Sequence, residues 1–204
     1  MGLLSASSTI TRYKVRGKLP DPETEAAAKG LSGRVIAEIE GEAEARAVGW
    51  TSFGSPFAPD FSGSNFSVGP WWVFCLRVDK KSVPGKLVNK HVALLAARRL
   101  AATGRAHLSR EEKKEVRAEV MEALLRRVPA VPSVYDVLWN YGDEEVWLFS
   151  SQKSAAEDLE TLFHESFGLL LVPMVPFTRA ELAAGLSSRE LERLSAVTPC
   201  SFAE

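Results

Sequence analysis

The sequence has few of the features that mark disulfide-bonded, membrane-spanning or secreted proteins. It contains only two cysteines among 204 residues, Cys75 and Cys200, and Cys75 lies in an apolar strand pattern. We therefore expect reduced thiols and a cytoplasmic protein. No apolar run reaches the roughly 18 residues that a transmembrane helix needs, so we expect no membrane partner. The N-terminus lacks the basic-then-apolar order of a secretory signal.

Motifs for catalysis are also scarce. The chain has no glycine-rich phosphate loop and no cluster of His and Cys at metal-ligand spacing. A two-metal nuclease needs several carboxylates that converge on paired cations. The candidates are Asp136, Asp143, Glu144 and Glu145. The last three lie on a predicted hairpin turn, where acids are usually solvated. We therefore predict that the protein is not an enzyme and needs no cofactor.

Charge is abundant and is sorted into blocks, although the formal net charge is only −1. Residues 84–127 carry eleven Lys and Arg against five Glu, whereas residues 140–204 carry eleven acids against four bases. Opposed blocks indicate that one surface meets a polyanion. The alternative is that the blocks neutralise each other within the fold or across a dimer.

The same sorting recurs within the predicted helix 109–127, SREEKKEVRAEVMEALLRR. At 100° per residue its basic residues continue the apolar stripe, and its glutamates face the other way. Arg110–Lys114 and Lys113–Arg117 are like-charge pairs four residues apart, which destabilise an isolated helix. A phosphate backbone or an acidic protein surface would compensate. Alternatively, the helix end projects past the core and its basic side chains reach water.

Hydrophobic periodicity predicts an α+β fold in which an antiparallel or mixed sheet carries an inserted basic helical hairpin and short C-terminal helices. We predict an α+β base from residues 1–83 and 133–177, a hairpin from 84–132 and a helical tail from 178–204. The predicted strands are 9–16, 70–79, 134–141, 144–149 and 169–175, and the predicted helices are 22–30, 84–103, 109–127 and 152–166, followed by short helices capped by Thr178 and Ser187. Residues 34–40 fit either a strand or a short helix.

Residues 49–69 are rich in Gly, Ser and Pro, and this composition is typical of a loop. The segment contains Phe53, Phe57, Phe61 and Phe66. Exposed aromatic rings in a loop can form a stacking platform for nucleic-acid bases. The more common role of such residues is to anchor a long loop on the core, and the sequence leaves both roles open.

The order of these motifs resembles the RdgC family of bacterial recombination-associated proteins. Within residues 75–127 the similar segments are CLRVDKKSVPGKLVNK and LSREEKKEVRAEVMEALLRR. The Gly49-Trp50 pair resembles the family's Gly-Trp, and Ser154 with Leu159 resembles the helix that follows its central strands. The similarity covers roughly residues 9–177.

The resemblance implies a homodimer that encircles or clamps duplex DNA without sequence preference, in the bacterial nucleoid. It also implies a functional link to RecA, whose recombination such proteins restrain. We predict that the DNA-binding residues are Arg77, Lys81, Lys86, Lys90, Arg98, Arg99, Arg105, Arg110, Lys113, Lys114 and Arg117. The second hypothesis is a homo-oligomeric interaction module whose basic hairpin docks on an acidic protein surface.

The chain departs from the family at two places. The family follows its charged helix with Pro-Arg-Ala-Phe-Ser-Arg, whereas residues 127–132 read RVPAVP. Longer members of the family also continue by about a third beyond Glu204, through a region that helps to close a ring. We therefore expect an open clamp or a different dimer as alternatives to a closed ring.

Overall fold

A computed structural model describes residues 2–198, apart from the side chains of residues 183 and 184. Cys200 and the end of the predicted tail lie outside the described residues. The strands are β1 Thr11–Arg16, β2 Arg46–Ser52, β3 Ser67–Val68, β4 Trp71–Lys80, β5 Val131–Asn140, β6 Glu145–Leu148 and β7 Leu170–Pro173. The helices are α1 Glu23–Gly33, α2 Gly85–Thr103, α3 Arg110–Leu125, α4 Lys153–Phe167, α5 Pro176–Ala184 and α6 Ser188–Ser195.

The strands form an antiparallel sheet in the order β2-β4-β5-β6-β1-β7, with β3 paired to β4. The predicted α+β class is therefore confirmed. Strands β5 and β6 form the predicted hairpin, with register from Val137 opposite Leu148 to Asn140 opposite Glu145. The turn between them contains Gly142 and Asp143, as the sequence predicted.

The chain divides into two compact units, and strands β4 and β5 contribute residues to both. The first unit comprises residues 2–30, 61–74 and 135–198 of the described chain. Its core is aromatic, because the Trp139 ring lies 5.0 Å from that of Trp72 and 4.7 Å from that of Phe163. The first contact is edge-to-face and the second is tilted, and aromatic contacts at these distances add to the stabilisation from apolar burial.

Helix α4 belongs to the first unit and follows the predicted amphipathic pattern. Leu159, Leu162 and Phe163 are buried, and Gly168 ends the helix in the left-handed conformation at φ 68°. Because a side chain at that φ would strain the backbone, glycine suits this position.

The second unit comprises residues 31–60 and 75–134, and it contains the hairpin of α2 and α3. The two helices share a small core of Val88, Val120 and Leu124. Helix α3 therefore buries the apolar stripe that its sequence predicted. The stripe is short, and most other side chains of the hairpin remain exposed.

Four local predictions are wrong. Helix α1 does not end at Gly30 but continues to Gly33. Gly30 is tolerated inside the helix because its Cα lies against Phe167, whose ring would be 2.4 Å from an added Cβ. Thr178 does not cap α5, which begins at Pro176, and its hydroxyl donates instead to the Pro173 carbonyl at 2.7 Å. The capping box of Ser187 is confirmed.

The third error concerns Gly49 and Trp50, which lie in strand β2 and not in a loop. Trp50 is fully buried, and an added Cβ on Gly49 would lie 2.4 Å from the Ile36 Cα. Pairing with β4 and this close backbone approach outweigh the turn-like composition. The fourth error concerns residues 34–40, which form neither the strand nor the helix that was predicted, although Val35 makes a single bridge to Trp50.

Candidate nucleic-acid interface

The candidate interface is the hairpin of α2 and α3, and its turn is built by local signals. Gly104 ends α2 at φ 65°, in the left-handed conformation. Ser109 begins α3 with a complete capping box, in which its hydroxyl accepts from the Glu112 amide and its own amide donates to the Glu112 carboxylate. These contacts satisfy two amides that a helix start leaves without partners. Both capping predictions are therefore confirmed.

The geometry of α3 alone suggested that its glutamates face water. In the structure, several of them also pair with cations of α2 and the turn. The Arg99 guanidinium of α2 pairs with Glu119 at 2.5 Å and with Glu115 at 3.8 Å. Arg105, in the turn, pairs with Glu112. The acids of one helix therefore neutralise cations of the other, and Arg99 and Arg105 carry less uncompensated charge.

The hydrogen bonds of Glu112 lower the pKa of its carboxyl. The largest cause is the hydrogen bond from the Ser109 amide, and the bond from Arg105 adds to it. Both bonds favour the ionised form of the carboxylate. The capping box and the neighbouring ion pair therefore depend on the same charged group.

Most of the remaining cations on the hairpin are exposed and unpaired. Within residues 2–198, no described group forms an ion pair or a side-chain hydrogen bond with them. They are Lys86, Lys90, Arg98, Arg110, Lys113, Lys114 and Arg127. Arg117 is also exposed, and its Nη1 is 3.4 Å from Asn89 Oδ1, which leaves the charge itself uncompensated. Arg127, which follows the end of α3, was not in the predicted set.

Lys81 does not lie on this exposed surface. It is 4 % exposed, and its ammonium donates to the carbonyls of Ile39 at 2.5 Å, Glu42 at 2.8 Å and Leu125 at 3.0 Å. These three acceptors use all three protons of the ammonium. The geometry therefore argues against the prediction that Lys81 contacts DNA, because the group ties the end of α3 to the segment before β2.

Arg77 is likewise buried, at 4 % exposure. Its Nε and Nη2 donate to the two carboxylate oxygens of Asp79 at 2.8 and 2.5 Å, and Nη2 is 3.1 Å from Glu38. The hydrogen bond with Asp79 is the main cause of the raised pKa of Arg77. A guanidinium with these partners has no free edge for a phosphate. The geometry therefore also argues against the prediction that Arg77 contacts DNA.

The phenylalanines of the Phe-rich segment differ in burial. Phe61 and Phe66 are 5 % and 3 % exposed and anchor their part of the segment in the first unit. Phe57, in the second unit, is 65 % exposed. Its ring lies over the Arg77 guanidinium, with 5.1 Å between the Arg77 Cζ and the ring centroid.

The four carboxylates that could have formed a nuclease site are held by local contacts. Asp136 accepts from the Leu3 amide at 2.7 Å, and Asp143 accepts from the Asn140 side chain at 2.7 Å. Glu144 pairs with Lys14 at 3.3 Å, and Glu145 pairs with Arg12 at 2.7 Å. In the described chain, 2–198, no three His, Cys, Asp or Glu side chains are grouped as metal ligands.

Burial alone would raise the pKa of Glu145. Hydrogen bonds from Arg12 and from the Trp147 indole outweigh the effect of burial, so the pKa of Glu145 is lowered. Glu145 is therefore an ionised partner of Arg12. Across the described residues, no helix is both long and apolar enough to span a bilayer.

Comparison with known proteins bears on the family to which the chain belongs. A search of curated proteins gave no match. The model of one protein family, described as "Putative exonuclease, RdgC", matches residues 9–188. The match includes the hairpin and all seven described strands of the sheet, and it covers far more than half of the chain. The chain belongs to the RdgC family.

Proposed function

We propose that the protein binds duplex DNA without sequence preference through the unpaired cations of the α2–α3 hairpin. The observation that carries this proposal is the separation of the hairpin's charges. Arg99 and Arg105 pair with glutamates of α3. Seven other cations of the hairpin region have no partner among the described residues: Lys86, Lys90, Arg98, Arg110, Lys113, Lys114 and Arg127. Dense phosphates suit many Lys and Arg side chains that make no base-specific contacts.

The proposed contacts are Lys86, Lys90, Arg98, Arg110, Lys113, Lys114, Arg117 and Arg127, together with Arg99 and Arg105 as weaker contributors. Only Val116, Val120 and Leu124 of α3 are buried, so the basic side chains of this helix are free to reach neighbouring phosphates. We further propose that two copies form a clamp that modulates recombination through RecA and that acts at the nucleoid, as the family resemblance implies.

The test is fluorescence anisotropy with labelled duplexes of unrelated sequence over a salt series. If about six phosphates are neutralised, log K against log salt has a slope of about −5. Lys113→Glu is expected to weaken binding about fivefold or more, equally for all sequences. The matched control is Lys153→Glu, which makes the same charge change at a lysine whose side chain is 91 % exposed on α4.

Two other outcomes would replace the proposal. If Lys113→Glu changes the oligomer in size-exclusion chromatography and no duplex binds at low salt, the hairpin docks on an acidic protein surface. If magnesium causes degradation of the duplex, and replacement of Asp143 and Glu144 abolishes it, the family's exonuclease description applies to this chain. A flat salt dependence would also contradict phosphate binding.

A further inference from the structure

We propose that Phe57 is a stacking platform for an unpaired nucleobase. This inference rests on the proposed DNA binding and adds a second kind of DNA contact to it. Phe57 is 65 % exposed, whereas Phe61 and Phe66 from the same Phe-rich segment are buried. A large apolar ring in water is disfavoured unless a partner covers it. The structure holds this ring in place on one side and leaves the other side open.

The loop that carries Phe57 is closed by hydrogen bonds at its base. The Ser52 hydroxyl donates to the Asp60 carbonyl at 2.8 Å and accepts from the Asp60 amide at 2.7 Å. Within the loop, the Pro56 carbonyl accepts a hydrogen bond from the Thr51 hydroxyl of β2 at 2.7 Å. The residue directly before Phe57 is therefore anchored to β2, which limits the movement of the ring.

The Arg77 guanidinium supports the inner face of the ring. Its edges are occupied by Asp79 and Glu38, and its Nη1 lies 3.4 Å from the same Pro56 carbonyl. Its flat face is left for the Phe57 ring, 5.1 Å from the Arg77 Cζ. A cation against one face of an aromatic ring is favourable. It also draws electron density from the ring, which favours an electron-rich base on the outer face.

A single ring suits a base better than it suits a protein. Specific protein interfaces bury about 800 Å² on each partner and have an apolar centre. The exposed neighbours of Phe57 in the loop are small or polar: Gly54, Ser55, Ala58 and Asp60. Stacking of one base on one aromatic side chain needs no such apolar surroundings.

The platform is also connected to the hairpin within the second unit. Arg77 supports Phe57, and Lys81 lies four residues further along the chain, where it donates to the Leu125 carbonyl at the end of α3. Four extended residues span roughly 13 Å. A DNA strand whose phosphates contact the hairpin near the end of α3 therefore passes within a few nucleotides of the Phe57 ring. Glu38 beside Arg77 disfavours a phosphate at the ring itself, so the ring would receive a base.

The experiment compares two labelled probes of the same sequence, a blunt duplex and a single strand that carries one 2-aminopurine. Phe57→Ala is expected to weaken single-strand binding about 5- to 150-fold, the range that corresponds to loss of one base–aromatic stack. It is also expected to remove the change in 2-aminopurine fluorescence that binding to the wild type causes. Binding to the blunt duplex should change less than about twofold, because its bases already stack on each other.

Two further variants separate ring stacking from other effects. Phe57→Trp keeps an aromatic face and should keep single-strand affinity, whereas Phe57→Leu is apolar without a ring and should behave like Phe57→Ala. Because Phe57 is exposed, all three variants should keep the wild-type circular dichroism spectrum. Equal affinity for Phe57→Leu and wild type would overturn the proposal, as would an equal loss on both probes.

The outcomes also distinguish this inference from the proposed function. If duplex binding depends on Lys113 but Phe57→Ala leaves single-strand binding unchanged, only the stacking proposal fails. If neither probe binds at low salt, both proposals fail. A Phe57→Ala variant that changes the oligomeric state and leaves binding to both probes intact would assign the ring to a protein interface and overturn the stacking role.

Discussion

Replacement of Lys81 by methionine tests whether this cation holds the fold together or contacts DNA. Methionine is unbranched and similar in length, so Lys81→Met removes the charge and the three hydrogen bonds with little change in shape. The bond to the Ile39 carbonyl is buried, whereas the bonds to Glu42 and Leu125 are partly buried. Water can therefore replace the second and third bonds more easily than the first.

The magnitude follows from these three bonds. Loss of a buried hydrogen bond to a charged group costs about 1.5–3 kcal/mol, and each bond that water partly replaces costs about 0.5 kcal/mol. We therefore expect Lys81→Met to lower the free energy of unfolding by about 2.5–4 kcal/mol. In a chain of this size that corresponds to a fall in Tm of roughly 5–15 °C. A loss of this size is a large part of the stability of a typical domain.

The assay is urea denaturation followed by tryptophan fluorescence, with anisotropy of a labelled duplex measured on the folded protein. The matched control is Lys80→Met, the same change at the adjacent exposed residue, which should alter the free energy of unfolding by less than about 0.5 kcal/mol. If Lys81→Met is as stable as Lys80→Met but binds duplex DNA more weakly, the structural role is wrong and Lys81 contacts phosphate.

Two further changes test the local structure. The pKa of Glu112 is lower in the folded state than its ordinary value of 4.5. The stability that its carboxylate contributes is therefore present above pH 4.5 and is lost as the pH falls through the folded-state pKa. Glu112→Gln lacks this titration, so its Tm should fall less at acid pH than the Tm of the wild type. Gly30→Ala should lower Tm because its Cβ would meet Phe167, whereas Gly33→Ala, where an added Cβ has open space, should raise the free energy of unfolding by about 0.5–1 kcal/mol in urea denaturation. A Gly30→Ala protein that is more stable than the wild type would contradict the packing argument.

The hairpin shows how much could be predicted from the sequence. Both of its helices, the cap at Ser109 and the left-handed Gly104 were predicted, because these signals lie within a few residues of each other. The buried stripe of α3 was also predicted, since its periodicity is a property of one helix. The partners of its glutamates were not, because Arg99 lies 20 residues from Glu119.

Strand β2 shows the opposite case. Its sequence RAVGWTS contains a glycine, and the segment that follows is rich in Gly, Ser and Pro, so local composition favoured a loop. The strand forms because it pairs with β4 and because Trp50 is fully buried. β-structure depends on the neighbouring strand more than on the strand's own residues.

The sequence by itself determined the RdgC resemblance, the α+β class and the basic character of the hairpin, since all three depend on residue order and local periodicity. Only the tertiary structure decided which cations are available. Arg77 and Lys81 have the same charge as Lys113, but they are 4 % exposed and donate to groups in the interior. The Lys81 acceptors Ile39 and Leu125 lie 42 and 44 residues away, so no local pattern reveals them. Burial is a property of the packed chain, and it separates cations that stabilise the fold from cations that can meet a ligand.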